Sequence, residues 1–107
     1  MSYASIDPQI QDWAQIHALK LFTSQGEREI RAAYVSSVSG ECFQIWIDPP
    51  EEGQTCVYAA CVVGRREDDL PETWRIAVTG LRAAIDSAFQ TVTDWMAPSK
   101  RFFPPKI

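Results

Sequence analysis

Large apolar residues recur at helical spacing in the final third of the chain. Steps of three and four positions separate the members of this series: Leu81, Ile85, Ala88, Phe89, Val92 and Trp95. Such spacing places them on one face of an α-helix, which needs a partner surface to bury it. We therefore predict a helix over residues 80–96, with Thr79 as its N-cap and Pro98 beyond its end.

Alternating apolar and polar positions precede this helix and predict β-strands. Four segments carry the pattern: one that ends near Thr23, and residues 28–36, 41–47 and 55–63. In the first long strand, Ile30, Ala32 and Tyr34 alternate with polar or small residues. In the next strand, Phe43 and Ile45 share a face. Residues 55–63 are the most apolar, which is typical of a strand covered on both faces.

Residues 72–78 allow two interpretations. Trp74, Ile76 and Val78 alternate as in a strand, whereas residues 69–72 (DLPE) match a capping box that would begin one long helix. We favour the strand, because β-branched residues and Gly80 suit a helix interior poorly. Glycine costs about 1 kcal/mol relative to alanine there.

The N-terminal segment predicts a short helix that ends near His17. Asp7 suits the N-cap and Pro8 the first helical position. Ile10, Trp13 and Ala14 then follow at helical spacing. Residues 18–22 can extend this helix or begin a strand, and we favour a strand that runs to Thr23. Residues 24–27 (SQGE) predict a hairpin turn.

These elements predict an α+β fold: an antiparallel meander of four to five strands, a C-terminal helix across one face and a short N-terminal helix. We expect one domain over residues 1–107, because a second core would be too thin at this length. Residues 98–107 are expected to form an extended tail. The segment 76–89 (IAVTGLRAAIDSAF) resembles the strand-to-helix ending of small uncharacterised bacterial α+β domains, which implies the fold and no activity.

The charge distribution disfavours some classes of partner. The net charge is −4, and the ten Lys and Arg are scattered along the chain. Proteins that bind nucleic acid concentrate positive charge on one face, whereas Asp68 and Asp69 here offset Arg65 and Arg66. No apolar run approaches the roughly 20 residues of a membrane span, and residues 1–10 lack a signal-peptide pattern. We expect a cytoplasmic protein that binds neither nucleic acid nor membranes.

Few residues suggest catalysis or metal binding. His17 is the only histidine, and its spacing indicates packing of the N-terminal helix. An odd number of cysteines, Cys42, Cys56 and Cys61, indicates reduced thiols that pack as small apolar side chains. Cys56 and Cys61 are separated by an odd number of positions, so one strand would place them on opposite faces. We expect no metal and no cofactor, and the residues favour a binding protein over an enzyme.

Two acidic segments and several aromatic residues are candidate contact sites. They comprise the following residues: Trp46, Glu51, Glu52, Asp68, Asp69, Phe102 and Phe103. Trp46 and Tyr58 fall on the second face of the predicted sheet, where aromatic residues suit an interface. Our hypothesis is a non-enzymatic protein-binding module, such as a small inhibitor, immunity-type or adaptor protein. Its partner is a protein, and a basic one if the acidic segments contribute.

Two other functions are consistent with the same residues. A pocket between sheet and helix, containing His17, Tyr34 or a cysteine, would make the chain a small-molecule-binding protein or an enzyme. Exchange of an edge strand or of the tail would instead make it a homodimeric structural protein.

Overall fold

The computed structural model describes residues 3–96, so Phe102, Phe103 and the expected tail over 98–107 lie outside the described residues. The helices are α1 (Asp7–Ile16) and α2 (Leu81–Met96). The strands are β1 (Leu21–Gln25), β2 (Arg28–Ser36), β3 (Cys42–Ile47), β4 (Gln54–Val63) and β5 (Glu72–Ala77). The α+β prediction is confirmed, and residues 72–77 form a strand and not the start of a long helix.

The five strands form one antiparallel sheet in the order β1-β2-β3-β4-β5. Each strand pairs with its neighbour in sequence, so successive connections alternate between the two ends of the sheet. The turn at Gly26, where φ is +64°, and the connection 48–53 share one end, called here the Asp48 end. The connections 37–41 and 64–71 lie at the opposite end.

Both helices pack on the same face of the sheet. Fully buried residues from both layers form the core there: Ile10, Trp13, Phe43, Ile45, Val57, Ile85 and Val92, among others. Burial of each such side chain stabilises the folded state by roughly 1.5–3 kcal/mol. The predicted apolar face of α2 therefore packs on β3, β4 and β5. The space between sheet and helices is therefore occupied by core side chains.

The inward face of β2 carries an arginine. Ala33 and Val35 point into the core, and Arg31 shares their side with only 6% of its surface exposed. Ile30, Ala32 and Tyr34 lie on the other face, where Tyr34 is 42% exposed. The alternation in the sequence predicts the strand correctly but does not show which side is buried, because the inward side begins with a charged residue.

Three local expectations need correction. Asp7 is the first residue of α1 and Ile6 is its N-cap, without a side-chain capping hydrogen bond, because the Asp7 carboxylate pairs with Arg31 instead. Thr79 lies within a 3-10 turn over Val78–Gly80, so α2 starts one residue later than expected. Strand β4 is covered by the helices on one face only: Val57, Ala59 and Cys61 lie in the core, whereas Tyr58 and Ala60 on the other face are half-buried.

No helix within residues 3–96 is both long enough and apolar enough to cross a membrane.

Candidate functional site

The sheet face opposite α1 and α2 carries a row of side chains that crosses four strands. Strand register places Phe22 beside Ala32, Ala32 beside Trp46, and Trp46 beside Tyr58. Tyr34 adjoins the row and meets the Phe22 ring edge-to-face, with 5.5 Å between ring centroids. We call this side of the sheet the uncovered face, because neither helix packs on it.

Trp46 and Tyr58 form a stacked pair at the centre of the uncovered face. Their ring centroids are 4.9 Å apart and their planes differ by 11°, and both side chains are half-buried. Directly opposed residues on neighbouring strands bring their side chains this close, so the sheet register itself fixes the pair. Large, rigid aromatic rings held in one orientation are typical of residues that dominate protein interfaces.

Asp48 connects this pair to the end of the sheet. The Tyr58 hydroxyl donates to Asp48 Oδ2 at 2.6 Å, and the Thr55 hydroxyl donates to the Asp48 carbonyl at 2.6 Å. The hydrogen bond to the carboxylate, together with burial, raises the pKa of Tyr58 well above its ordinary value of 10. The Tyr58 ring is therefore anchored at both its face and its hydroxyl.

Two open clefts flank the stacked pair at the Asp48 end. One, of about 300 Å³, lies on the Trp46 side and is bordered by Arg28, Ile30 and Gln44. The other, of about 360 Å³, lies on the Tyr58 side and contains Glu51, Glu52, Cys56 and Arg75 on its walls. Asp48 and Pro49 border both clefts. The stacked pair thus forms a ridge between two depressions.

An ion pair holds α1 against this end of the sheet. Arg31 donates from Nε to Asp7 Oδ1 at 2.6 Å and from Nη2 to Asp7 Oδ2 at 3.0 Å. Its guanidinium also lies 4.3 Å from the centre of the Tyr3 ring, whose hydroxyl donates to the Ile47 carbonyl at 2.9 Å. Because the ion pair is buried and bidentate, it holds Tyr3 rigidly, and Tyr3 in turn holds the backbone of Ile47, the residue before Asp48.

The two predicted acidic segments do not come together. Glu51 and Glu52 lie at the Asp48 end, beside Tyr58, whereas Asp68 and Asp69 lie at the opposite end. The ten residues of β4 separate the two segments by about 30 Å, at roughly 3.3 Å per residue. Only the first acidic segment therefore adjoins the aromatic ridge.

The two segments also differ in how their charge is balanced. Arg66 pairs with Asp69 at 3.5 Å, and Arg65 in the same connection approaches Glu41 at 3.7 Å. Within residues 3–96, neither Glu51 nor Glu52 has an ion-pair partner. The two glutamates beside the ridge are therefore not held in ion pairs, and Arg75 is the basic residue that borders their cleft.

The histidine and cysteines occupy separate places. The His17 ring stacks on Phe89 with centroids 4.0 Å apart, on the helical side, whereas Tyr34 lies on the uncovered face. Cys61 is in the core, where burial raises its pKa, and Cys56 lies on the opposite face of β4 across from Arg75. All three cysteines are free, and the predicted placement on opposite faces is confirmed.

Sequence reasoning identified Trp46 and Tyr58 on a common face but missed Phe22 and the role of Asp48. It considered Tyr34 for a pocket between sheet and helix, whereas Tyr34 lies on the uncovered face. The alternation of side chains within β1 and β2 is the signal for Phe22 and Tyr34, because both side chains point away from the core. The described part of the chain contains no group of three or more His, Cys, Asp or Glu side chains placed to hold a metal ion. Comparisons with protein-family models, curated proteins and solved structures find no match to this chain.

Proposed function

We propose that this chain is a non-enzymatic protein-binding module that contacts its partner through the uncovered face at the Asp48 end. The observation that carries the proposal is the stacked pair of Trp46 and Tyr58, held half-exposed as a ridge between two clefts. Monomeric proteins seldom leave such aromatic groups in contact with water without a function. A ridge between depressions suits a partner surface of complementary shape.

The neighbouring charges favour a basic partner. Glu51 and Glu52 are exposed and lack ion-pair partners within residues 3–96, and they border the cleft beside Tyr58. Unbalanced negative charge at the rim of an interface accelerates encounter with a positively charged surface and makes binding sensitive to salt. The proposal therefore assigns shape recognition to the ridge and attraction to the connection 48–53. A small inhibitor, immunity-type or adaptor protein works in this way.

A cytoplasmic location belongs to the same proposal. All three cysteines are free, and free thiols persist in reducing compartments.

The direct experiment is affinity isolation of the tagged chain from its source cells, with mass spectrometry of proteins that co-purify in stoichiometric amount. Trp46→Ala is expected to weaken binding of the identified partner about 30-fold, which is the magnitude of an interface residue that contributes about 2 kcal/mol. Val63→Ala is the matched control, because Val63 is exposed and pairs with Cys42, which is on the same face but remote from the Asp48 end. Circular dichroism checks that both variants fold.

Unchanged binding by folded Trp46→Ala would refute the assignment of the ridge.

A further inference from the structure

The two edges of the sheet differ in how well they are protected. Within residues 3–96, β5 pairs with β4 on one side and has no strand on the other. Its sequence ETWRIA contains no proline and no lysine, and its register with β4 has no bulge; its charged residues are Glu72 and Arg75. Proteins usually protect an edge strand with these devices, because its unpaired backbone groups are a template for another strand.

The opposite edge, β1, is protected. It has five residues, and its register with β2 shifts between Phe22 and Ser24. The carbonyl of Thr23 within that shift accepts a hydrogen bond from Arg31 Nη1 at 3.2 Å. An irregular strand with an occupied carbonyl is a poor template for pairing. The comparison singles out β5 as the edge that is open to a partner.

The pairing with β4 shows which backbone groups of β5 are free. The Val78 amide donates to the Gly53 carbonyl at 2.9 Å, and this register continues along the strand. Backbone groups of an antiparallel strand point alternately to its two sides, so those of Trp74 and Ile76 are directed at β4. The amides and carbonyls of Thr73, Arg75 and Ala77 are therefore directed at the free side.

We propose that β5 pairs antiparallel with β5 of a second copy of this chain, about a two-fold axis that passes beside Trp74. The two five-stranded sheets would then form one continuous sheet. Thr73 of each copy lies opposite Arg75 of the other, and each such pair exchanges two backbone hydrogen bonds. Isologous contacts of this kind are the commonest basis of homodimers.

Side chains select this register over its neighbours. A shift in one direction places Arg75 opposite Arg75 of the second copy, and like charges directly opposite destabilise a sheet. A shift in the other direction places Arg75 opposite Pro71, which has no amide to donate, and leaves a single Thr73–Thr73 pair that can exchange two hydrogen bonds. The proposed register keeps two such pairs and places only Ala77 opposite Pro71. In the proposed register Trp74 of one copy lies opposite Trp74 of the other in a non-hydrogen-bonded pair, where side chains approach most closely. That contact covers the exposed part of a half-buried tryptophan.

The helices leave room for this pairing. The two-fold axis keeps the helices of both copies on one face of the continuous sheet. Three strand spacings of about 4.8 Å separate β4 from its copy, or about 14 Å. Because α2 packs mainly on β4, the two α2 helices fit side by side without overlap, since packed helices need about 8–10 Å between axes.

Proline at Thr73 tests the proposal selectively. Thr73→Pro removes an amide that faces the free side and leaves the hydrogen bonds between β5 and β4 in place, whereas Thr73→Val keeps the amide as a matched control. Light scattering with size-exclusion chromatography is expected to give twice the 12.1 kDa chain mass for the wild type and Thr73→Val. For Thr73→Pro, the concentration below which the dimer dissociates is expected to be at least tenfold higher than for the wild type. A wild-type monomer at every concentration, or equal dimers of both variants, would overturn the proposal.

Amide hydrogen exchange by NMR provides a second readout that needs no variant. In the dimer the amides of Thr73, Arg75 and Ala77 are expected to be protected together with those of Trp74 and Ile76. Dilution to the monomer should make only the amides of Thr73, Arg75 and Ala77 exchange rapidly. A dimer in which Thr73 and Arg75 exchange rapidly would place the interface elsewhere and refute the pairing. This outcome is independent of the binding function proposed for the uncovered face.

Discussion

Replacing Arg31 with methionine tests whether the buried ion pair holds α1 against the Asp48 end. Methionine fills a similar volume, but it removes both hydrogen bonds to Asp7 and the 3.0 Å ion pair with Glu29. It also removes the hydrogen bonds to the carbonyls of Thr23 and Ile30. We expect the free energy of unfolding to fall by about 3 kcal/mol, at the lower end of the range for removing one partner of a buried pair. The lower end applies because the Asp7 side chain is 21% exposed and regains part of its hydration.

Urea unfolding, followed by tryptophan fluorescence, measures this change. A loss of about 3 kcal/mol corresponds to a fall in Tm of about 12 °C or more for a domain of this size. The slope of the unfolding free energy against urea should not change, since the variant exposes a similar surface on unfolding. Arg31→Lys is the matched control, because it keeps the charge and loses the bidentate geometry, and an intermediate loss is expected.

A double-mutant cycle with Asp7→Asn isolates the pair itself. The combined variant Arg31→Met with Asp7→Asn should lose less stability than the sum of the two single variants, by about 1 kcal/mol or more. Strict additivity of the two changes, or a loss below about 1 kcal/mol for Arg31→Met alone, would refute the account of this ion pair as the support of α1.

Two further predictions concern single positions, one within β4 and one in the connection that follows it. In an alkaline titration followed by ultraviolet absorbance, Tyr58→Phe should remove a tyrosine that ionises well above pH 10. The free energy of unfolding of the wild type should fall as the pH rises above about 10, because the folded state holds the Tyr58 proton more tightly than the unfolded state. Ionisation of Tyr58 at its ordinary pKa would contradict its hydrogen bond to Asp48. Gly64→Ala should cost about 1–2 kcal/mol in thermal unfolding, because Gly64 has φ of +143° and an added Cβ would lie 2.6 Å from Glu41 Oε2. Gly26→Ala, with open space around its Cβ, should cost less, and an equal cost would refute the steric contribution.

Most of the fold was predictable from the sequence because the spacing of apolar residues changes at identifiable positions. Period-two alternation in β3 and helical spacing in α2 each correspond to one buried face, so their burial follows from the pattern alone. Strand β5 was predictable for a different reason. Gly80 and the β-branched residues before it are disfavoured in a helix interior, and this excluded the alternative of one long helix.

The inward side of β2 was not predictable, since it depends on a contact between remote residues. Arg31 is buried because two carboxylates neutralise its charge: Asp7, which lies 24 positions earlier, and Glu29, which lies two positions earlier on the same strand. The same contact explains why Asp7 does not cap α1. A sequence pattern treats each residue by its own polarity, and it contains no information on which opposite charge reaches it after folding.

The candidate site was predictable in part. Trp46 and Tyr58 share a face because alternation places them there, and their pairing follows once β3 and β4 are in register. The separation of Glu51 from Asp68 also follows from a meander, whose successive connections alternate ends. The hydrogen bond from Tyr58 to Asp48 depends on the path of the connection 48–53, for which the sequence supplies no periodic signal.

Paired charge reversals test the central claim most directly. Glu51→Lys with Glu52→Lys and the matched control Asp68→Lys with Asp69→Lys change the net charge equally, at opposite ends of the sheet. Affinity for the isolated partner is measured by titration calorimetry over a range of salt concentrations, because exposed charges are screened beyond about 8 Å at physiological ionic strength. We expect the first pair to weaken binding and reduce its salt dependence, and the control pair to change both much less. Equal effects of the two pairs, or none from the first, would contradict a partner site at the Asp48 end.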